Sequence, residues 1–178
     1  QIAIKKTNRK IAVIGSGPSG LACAQQLARV GHSVVVFEKN SRIGGLLRIG
    51  IPDFKMEKHL IDRRMSQMKL EGVEFKANAH IGVDISFDDL NQEFDAIAFC
   101  GGSEKPRDLP VEGRELDGVH FAMEFLSQQN DRVSGKNIDN SIEILAKNKT
   151  VLLIGGGDTG SDCVETSNRQ GARSVSHL

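Results

Sequence analysis

The sequence predicts an α/β fold of parallel strands with flanking helices, and three features lead to this prediction. Short uncharged runs such as residues 11–14 have the length and continuous apolar character of strands buried on both faces of a sheet. This run is followed by a glycine-rich turn and then by apolar residues at helical spacing, which is the order of elements in a βαβ unit. The same pattern occurs a second time, so two such units are expected.

The repeat aligns residues 11–23, IAVIGSGPSGLAC, with residues 151–163, VLLIGGGDTGSDC, without a gap and at an offset of 140 residues. The identities in this alignment are Ile14, Gly15, Gly17, Gly20 and Cys23, which recur as Ile154, Gly155, Gly157, Gly160 and Cys163. A crossover helix between two buried strands makes those strands parallel in each copy. The chain ends at the second strand of the second copy, so this copy is expected to be truncated.

The first copy predicts a strand at 11–14, a helix over 19–30 that stops at Gly31, and a strand at 34–37. An amphipathic helix is predicted next over 56–70. Its apolar face is formed by Met56, Leu60, Ile61, Met65 and Met68.

The remaining stretch between the copies has weaker patterns. The predicted elements are strands at 73–75 and 96–100, a helix over 119–126 and a loop over 130–141. Asp88 and Asp89 are interpreted as a solvated turn or the start of a helix.

Composition excludes several classes of function. The chain has 23 basic and 23 acidic residues, so no basic field attracts nucleic acid or an anionic membrane. The uncharged stretch 11–28 is interrupted by glycine, proline and glutamine, which argues against a signal peptide or a membrane span. The first residue is Gln1, so the chain is interpreted as a piece of a longer one.

The cysteines and histidines form no recognisable metal or catalytic pattern. The three cysteines are widely spaced without a Cys-x-x-Cys pair, which argues against a disulfide framework, a zinc site or an iron–sulfur cluster in this chain. A reducing, cytoplasmic compartment is the simplest interpretation. The five histidines are dispersed, so we predict neither metal ligands nor catalytic side chains.

The first glycine turn satisfies the dinucleotide fingerprint G-x-G-x-x-G. Gly15 permits the tight turn, Gly17 lets the backbone approach a pyrophosphate, and Gly20 lets helix and strand pack closely. Glu38 follows at the end of the next strand, where an acid binds a ribose diol. The structural alternative is a glycine-rich turn with an unrelated surface glutamate.

Two further loops are expected beside the fingerprint. Gly44 and Gly45 lie in the loop 42–52, which either approaches a flat cofactor or is a plain connection. Gly101 ends the predicted strand 96–100, at the sheet edge where α/β proteins bind ligands. Cys100 is interpreted as a packing residue rather than a redox thiol, because no resolving cysteine is expected nearby.

The second glycine turn predicts a second dinucleotide site. The offset of 140 places Leu178 at the position of Glu38. The missing acid would argue against a plain NAD site, but one inserted residue would remove that argument.

Three stretches of the sequence resemble the glutamate synthase small-subunit family. They read IGSGPSGLACAQQLARVGHSVVVFEKNSRIGGLLRIGIPDFKMEKHLIDRR, PRDLPVEGRELDGVHFAMEFLSQQN and GGGDTGSDCVETSNRQGA. The resemblance implies a Rossmann-like FAD- and NAD(P)H-binding fold, with an FAD domain at 1–113 and the start of an NAD(P)H domain at 114–178. It also implies that electrons pass from NADPH or NADH to FAD and through iron–sulfur clusters to a large subunit, which makes glutamate from glutamine and 2-oxoglutarate.

The resemblance places the FAD pyrophosphate at 16–19 and its ribose at Glu38, with further flavin contacts at Gly45, Leu46 and Lys55. It places the adenine beside the backbone near Ile81 and the phosphates of the nicotinamide cofactor at 156–159. The expected cofactor-binding residues are Gly15, Ser16, Gly17, Pro18, Ser19, Gly20, Glu38, Lys39, Gly45, Leu46, Lys55, Ile81, Gly101, Gly155, Gly156, Gly157, Asp158, Thr159 and Gly160.

Departures from the family limit this expectation. The cysteine-rich cluster domain, the rest of the nicotinamide domain and the C-terminal return of the FAD domain are absent from the sequence. Residues 1–178 alone are therefore expected to be inactive. Two alternatives stay open: the same core serving another acceptor, as in dihydropyrimidine dehydrogenase or ferredoxin-linked oxidoreductases, and a noncatalytic nucleotide-binding module.

Overall fold

The computed structural model describes residues 2–178, which form two compact units. The first unit contains the residues up to 48 together with 57–103, and the second contains 49–56 together with 104–178. The boundary at residue 113 stays a prediction about cofactor-binding domains.

The first unit is built on a four-stranded sheet in which every strand pair is parallel. Its elements in chain order are β1 (Lys10–Ile14), α1 (Pro18–Arg29), β2 (Ser33–Phe37), α2 (Leu46–Ile49), α3 (His59–Leu70), β3 (Val73–Lys76), α4 (Phe87–Glu93) and β4 (Ala96–Phe99), where Ile49 belongs to the second unit. The spatial order β3-β2-β1-β4 places the first predicted strand inside the sheet.

Alternate residues of β1 and β2 enter two different cores. Val13 and Val36 pack with α1 and with Met68 of α3 in one cluster, whereas Ala12 and Val35 pack in another with Leu90 of α4 and other residues. Both faces of the strands are therefore covered, which explains why these strands are continuously apolar in sequence.

The second unit contains a parallel pair of strands and two helices. Its elements are α5 (Ala122–Val133), β5 (Thr150–Leu153), α6 (Asp158–Arg169) and β6 (Ser174–His177). Phe125 and Leu126 of α5 form a core with Ala146 and with Cys163 of α6. The predicted α/β fold with parallel strands and flanking helices is thus confirmed.

Several predicted boundaries were wrong. Helix α5 continues to Val133, through part of the predicted loop 130–141, where Asn130 is buried and donates a hydrogen bond to the carbonyl of Ile49 at 2.9 Å. Helix α3 begins at His59 rather than Met56, and Leu60 on its predicted apolar face is 39% exposed.

Of two short helices, one confirms the interpretation of Asp88 and Asp89 as a helix start, and the other was not predicted. The pair Asp88 and Asp89 lies in the first turn of α4, where the Ser86 hydroxyl accepts a hydrogen bond from Asp89 N at 3.0 Å. The other, α2, interrupts the predicted glycine loop. No helix in residues 2–178 is long and apolar enough to cross a membrane.

Glu71 carries a buried ion-pair network that links α1 to α3. Its carboxylate accepts hydrogen bonds from Arg29 Nη2 at 3.0 Å, Arg29 Nε at 3.1 Å and Gln25 Nε2 at 2.8 Å. The Arg29 guanidinium holds the pKa of Glu71 well below its ordinary value of 4.5.

This network predicts a specific loss of stability in acid. The unfolded chain binds the Glu71 proton more tightly, so the stabilisation is present above about pH 4.5 and is lost as the pH falls toward the folded-state pKa. Glu71→Gln is expected to flatten the dependence of the urea midpoint on pH below this value. An unchanged acid slope in Glu71→Gln would show that the network does not titrate with folding. Glu74→Gln, at an exposed position of β3, is the matched control.

Candidate functional site

The carboxyl ends of three strands meet at one edge of the first sheet. The Gly15 N–H donates to the carbonyl of Phe37 at 2.8 Å, and the Cys100 N–H donates to the carbonyl of Ile14 at 2.7 Å. The turns after β1, β2 and β4 are therefore adjacent, as the sequence predicted for a ligand-binding edge.

Gly15 and Gly20 are required by close backbone contacts. Gly15 has φ +101°, and a Cβ there would lie 2.5 Å from the carbonyl oxygen of Cys100. A Cβ at Gly20 would lie 1.9 Å from the carbonyl oxygen of Gly15. Both glycines are needed for the fold of the loop itself, independently of any ligand.

Gly17 differs from its two neighbours in the fingerprint. A Cβ at Gly17 would meet no atom within 4 Å, and its backbone is extended with φ −67° and ψ −177°. The loop therefore leaves open space at the position where the fingerprint expects a pyrophosphate. Helix α1 begins at the next residue with no acidic side chain in its first turn, so its positive end faces no competing carboxylate of its own first turn.

Glu38 is buried, with 5% of its surface exposed. One carboxylate oxygen accepts from Ser16 N at 3.2 Å and from the Ser16 hydroxyl at 2.5 Å, and the other accepts from Asn40 N at 2.9 Å and Asn40 Nδ2 at 2.8 Å. These four bonds use the acceptor capacity of a carboxylate. In this structure Glu38 fixes the loop, and the predicted ribose diol would have to replace some of these partners.

Ser16 extends this network to the Gly44–Gly45 turn. Its hydroxyl accepts from Gly44 N at 2.9 Å, and a Cβ at Gly45 would lie 2.7 Å from the Cα of Gly17. The turn thus packs directly on the fingerprint, a close approach that requires glycine at position 45, which also has φ +52°.

The other predicted residues of this site lie around the same edge or farther from it. Pro18, Ser19, Lys39, Leu46 and Gly101 are exposed. Ile81 is partly buried against the core of Ala12 and Val35, beside its β-bridge to Ile85. Their contacts with a cofactor stay predictions.

Lys55 belongs to the second unit. Its ammonium lies 2.5 Å from Oδ1 of Asp162 and 3.9 Å from Oε1 of Glu165, both on α6. The hydrogen bond to the Asp162 carboxylate raises the pKa of Lys55. The sequence offered no signal for this pairing, because 107 positions separate the two residues in the chain.

The second glycine loop has the same crowding between its first and last glycines. Gly155 has φ +108°, and a Cβ at Gly160 would lie 2.8 Å from the carbonyl oxygen of Gly155. The adjacent positions Gly156 and Gly157 have open space, and Asp158 and Thr159 begin α6. His177 Nε2 is 2.7 Å from the carbonyl oxygen of Gly155, which makes this nitrogen the donor.

Strand register corrects the comparison of Leu178 with Glu38. Gly155 N donates to the carbonyl of Leu178 just as Gly15 N donates to that of Phe37. Leu178 is therefore the counterpart of Phe37, and one extra residue lies between the second loop and the end of β6. The argument from the missing acid against a plain NAD site is removed.

The cysteines also differ from the sequence expectation. Burial raises the pKa of Cys23, and the neighbouring thiol of Cys100 raises it further, so the inference that no cysteine lies near Cys100 was wrong. Both pack against the same core as α1. No group of three or more potential metal ligands occurs within the described part of the chain.

Cys163 is expected to be the least reactive thiol of the three. It is 1% exposed, and burial, followed by the negative charge of Asp162, raises its pKa to about 11. Iodoacetamide labelling at pH 8 should modify Cys163 only after unfolding, as read by mass spectrometry of its peptide. Rapid labelling of Cys163 in the native protein would contradict this placement.

Comparisons with known proteins agree with the fold. Residues 13–81 match the family model of an NAD(P)-binding Rossmann-like domain. The structure of Mycobacterium tuberculosis FprA in complex with NADPH has a TM-score of 0.76 and 20% identity, covering 95% of this chain and 43% of that one. This likeness shows the fold.

Two relatives found by sequence comparison have a higher identity to this chain than FprA has. The Mycobacterium tuberculosis (strain H37Rv) protein named glutamate synthase [NADPH] small chain is 55% identical over 96% of this chain, which spans 36% of that relative. Glutamate synthase [NADH] of Schizosaccharomyces pombe is 47% identical over 98% of this chain and 8% of its own length. The chain is therefore a homologue of the glutamate synthase small chain, with an NAD(P)-binding Rossmann-like domain, and spans about a third of that relative's length.

Proposed function

We propose that the first unit binds FAD through the loop 15–20 and that the second binds NADPH or NADH through the loop 155–160. The chain would thus supply part of the module that delivers electrons from NAD(P)H to FAD in a glutamate synthase. The homologous small chain named as NADPH-dependent supports this proposal.

The observation that carries the proposal is the contrast between Gly17 and its neighbours. A Cβ added at Gly15 or Gly20 would lie less than 3 Å from backbone atoms, whereas Gly17 faces open space at the start of α1. Packing within the loop therefore does not account for glycine at position 17. A diphosphate fits the space, because backbone N–H groups and the positive end of the helix meet it there.

In this proposal the residues of the chain bind and orient the cofactors. Glu38 and Ser16 hold the first loop, and Gly45 places the next turn against it. A flavin and a nicotinamide exchange a hydride through their own chemistry, without a side-chain acid or base. The absence of a predicted catalytic side chain is compatible with this role.

The wider activity is proposed from the relatives. Electrons would leave FAD through iron–sulfur clusters outside these residues and reach a large subunit or domain that makes glutamate from glutamine and 2-oxoglutarate in the cytoplasm. The much longer Schizosaccharomyces pombe relative supports a partner region in the same assembly, since this chain matches 8% of its length.

Stepwise anaerobic reduction tests this proposal. A complete polypeptide containing this chain is loaded with FAD, and its absorption spectrum is followed during additions of NADPH and of NADH. Bleaching of the flavin band by either nucleotide is expected. Failure to retain flavin, or retained flavin that neither nucleotide reduces, would contradict the assignment.

A further inference from the structure

Residues 49–56 form a strap that folds with the second unit, although in sequence they run from the last residue of α2 toward α3 in the first unit. Asn130 Nδ2 of α5 donates to the carbonyl of Ile49 at 2.9 Å. Asn130 is 6% exposed, so this hydrogen bond satisfies a buried amide. The first end of the strap is thereby fixed to α5.

The other end of the strap lies along one face of α6. The Arg169 guanidinium lies 4.1 Å from the centre of the Phe54 ring, and the Lys55 ammonium lies 2.5 Å from Asp162. Asp162 and Arg169 are separated by seven positions, which is two helical turns, so they share a face. Adjacent strap residues therefore hold α6 at two points along its length.

The Lys55–Asp162 pair neutralises a buried carboxylate. Asp162 is 7% exposed, and a carboxylate so buried requires a charged partner. Lys55 supplies that charge, and Glu165 lies 3.9 Å from the same ammonium. Removal of the Lys55 charge would leave a buried carboxylate without its cation.

Asp162 lies close to the second glycine loop in the helix. It follows Gly160 by two residues, and Gly160 packs on Gly155 so tightly that an added Cβ would lie 2.8 Å from its carbonyl oxygen. A shift of α6 therefore moves the N–H groups that the loop presents.

We propose that the strap positions α6 for nicotinamide-cofactor binding, with Lys55 acting through Asp162 and Phe54 acting through Arg169. The inference rests on the proposed function of the second loop and extends it to residues outside that loop. Lys55 is thus a positioning residue of the second site. The family resemblance had instead suggested a flavin contact.

Cofactor affinities of matched variants test this role. Lys55→Met and Asp162→Asn are each expected to weaken NADPH binding about fivefold or more, and the double variant no further than Lys55→Met alone. FAD affinity should stay within a factor of about two. Lys55→Arg should retain NADPH binding, and Lys147→Met, an exposed lysine of the same unit, is the control.

Three results would overturn the proposed role of the strap. The first is a loss of FAD affinity in Lys55→Met as large as the loss of NADPH affinity. The others are losses of NADPH affinity that multiply in the double variant and unchanged NADPH binding in Asp162→Asn. Phe54→Ala, with Phe54→Trp as its rescue, tests the second contact without altering the buried charge.

Amide hydrogen exchange tests the role of the strap independently of the proposed function. Without any cofactor, the amides of α6 near Asp162 are expected to exchange faster in Lys55→Met than in the wild-type protein. Unchanged exchange rates of these amides in Lys55→Met would overturn the proposed role of the strap. A wild-type protein that binds no NADPH would contradict the proposed function. The exchange rates would still show whether the strap stabilises α6.

Discussion

Gly20→Ala is expected to destabilise the first unit by about 3 kcal/mol or more, because its methyl group would lie 1.9 Å from the carbonyl oxygen of Gly15. Neither partner can move easily, since Gly15 is itself closely packed: a Cβ there would lie 2.5 Å from the carbonyl oxygen of Cys100. Overlap between backbone and a new Cβ has to be relieved by separating α1 from β1. Urea unfolding of the purified variant measures this loss.

Gly17→Ala is the matched control for this prediction. Its methyl group meets no atom within 4 Å, and its φ of −67° suits any residue. The cost is expected to be about 1 kcal/mol or less, the difference between alanine and glycine at a helix N-cap. Equal losses in Gly20→Ala and Gly17→Ala would contradict the assigned roles of the two glycines.

Glu38→Gln is expected to cost about 2–3 kcal/mol of unfolding free energy and to weaken FAD binding about tenfold or more. Glutamine keeps the size of the side chain but replaces one acceptor oxygen with an NH₂ donor. That donor would face N–H groups of either Ser16 or Asn40, so buried donors lose their acceptor. The same change removes the negative acceptor expected to bind the ribose.

Urea unfolding and a fluorescence titration with FAD measure the two effects separately. Glu74→Gln changes an exposed carboxylate on β3 of the same unit and should alter neither quantity appreciably. Native stability together with native FAD affinity in Glu38→Gln would show that the carboxylate holds neither the loop nor the ribose.

The sheet was predictable because its strands are buried on both faces. Such strands must be continuously apolar, and residues 11–14 and 34–37 could be identified on that ground alone. The helical conformation of residues 130–133 could not be predicted, because their polar sequence has little local preference for a helix. Its burial depends on Asn130, which is satisfied by a carbonyl distant in sequence.

The candidate site was predictable where function depends on spacing along the chain. Gly15, Gly17 and Gly20 are such a case, and the structure separates their roles further. Partners brought together by folding were missed, as with Lys55 and Asp162, or Cys23 and Cys100. The extra residue before Leu178 stayed an open alternative until strand register was known, because an ungapped alignment does not contain that register.

Titration of the wild-type protein and of Gly17→Val with FAD, followed by flavin fluorescence, tests most directly whether the first glycine loop receives a pyrophosphate. Urea unfolding of both proteins measures their stabilities and shows whether both are folded under the titration conditions. The valine side chain would occupy the space that the loop leaves open, so saturable binding is expected in the wild type, with affinity reduced about a hundredfold in the variant. Equal FAD affinity in two equally stable proteins would contradict the assignment of this loop.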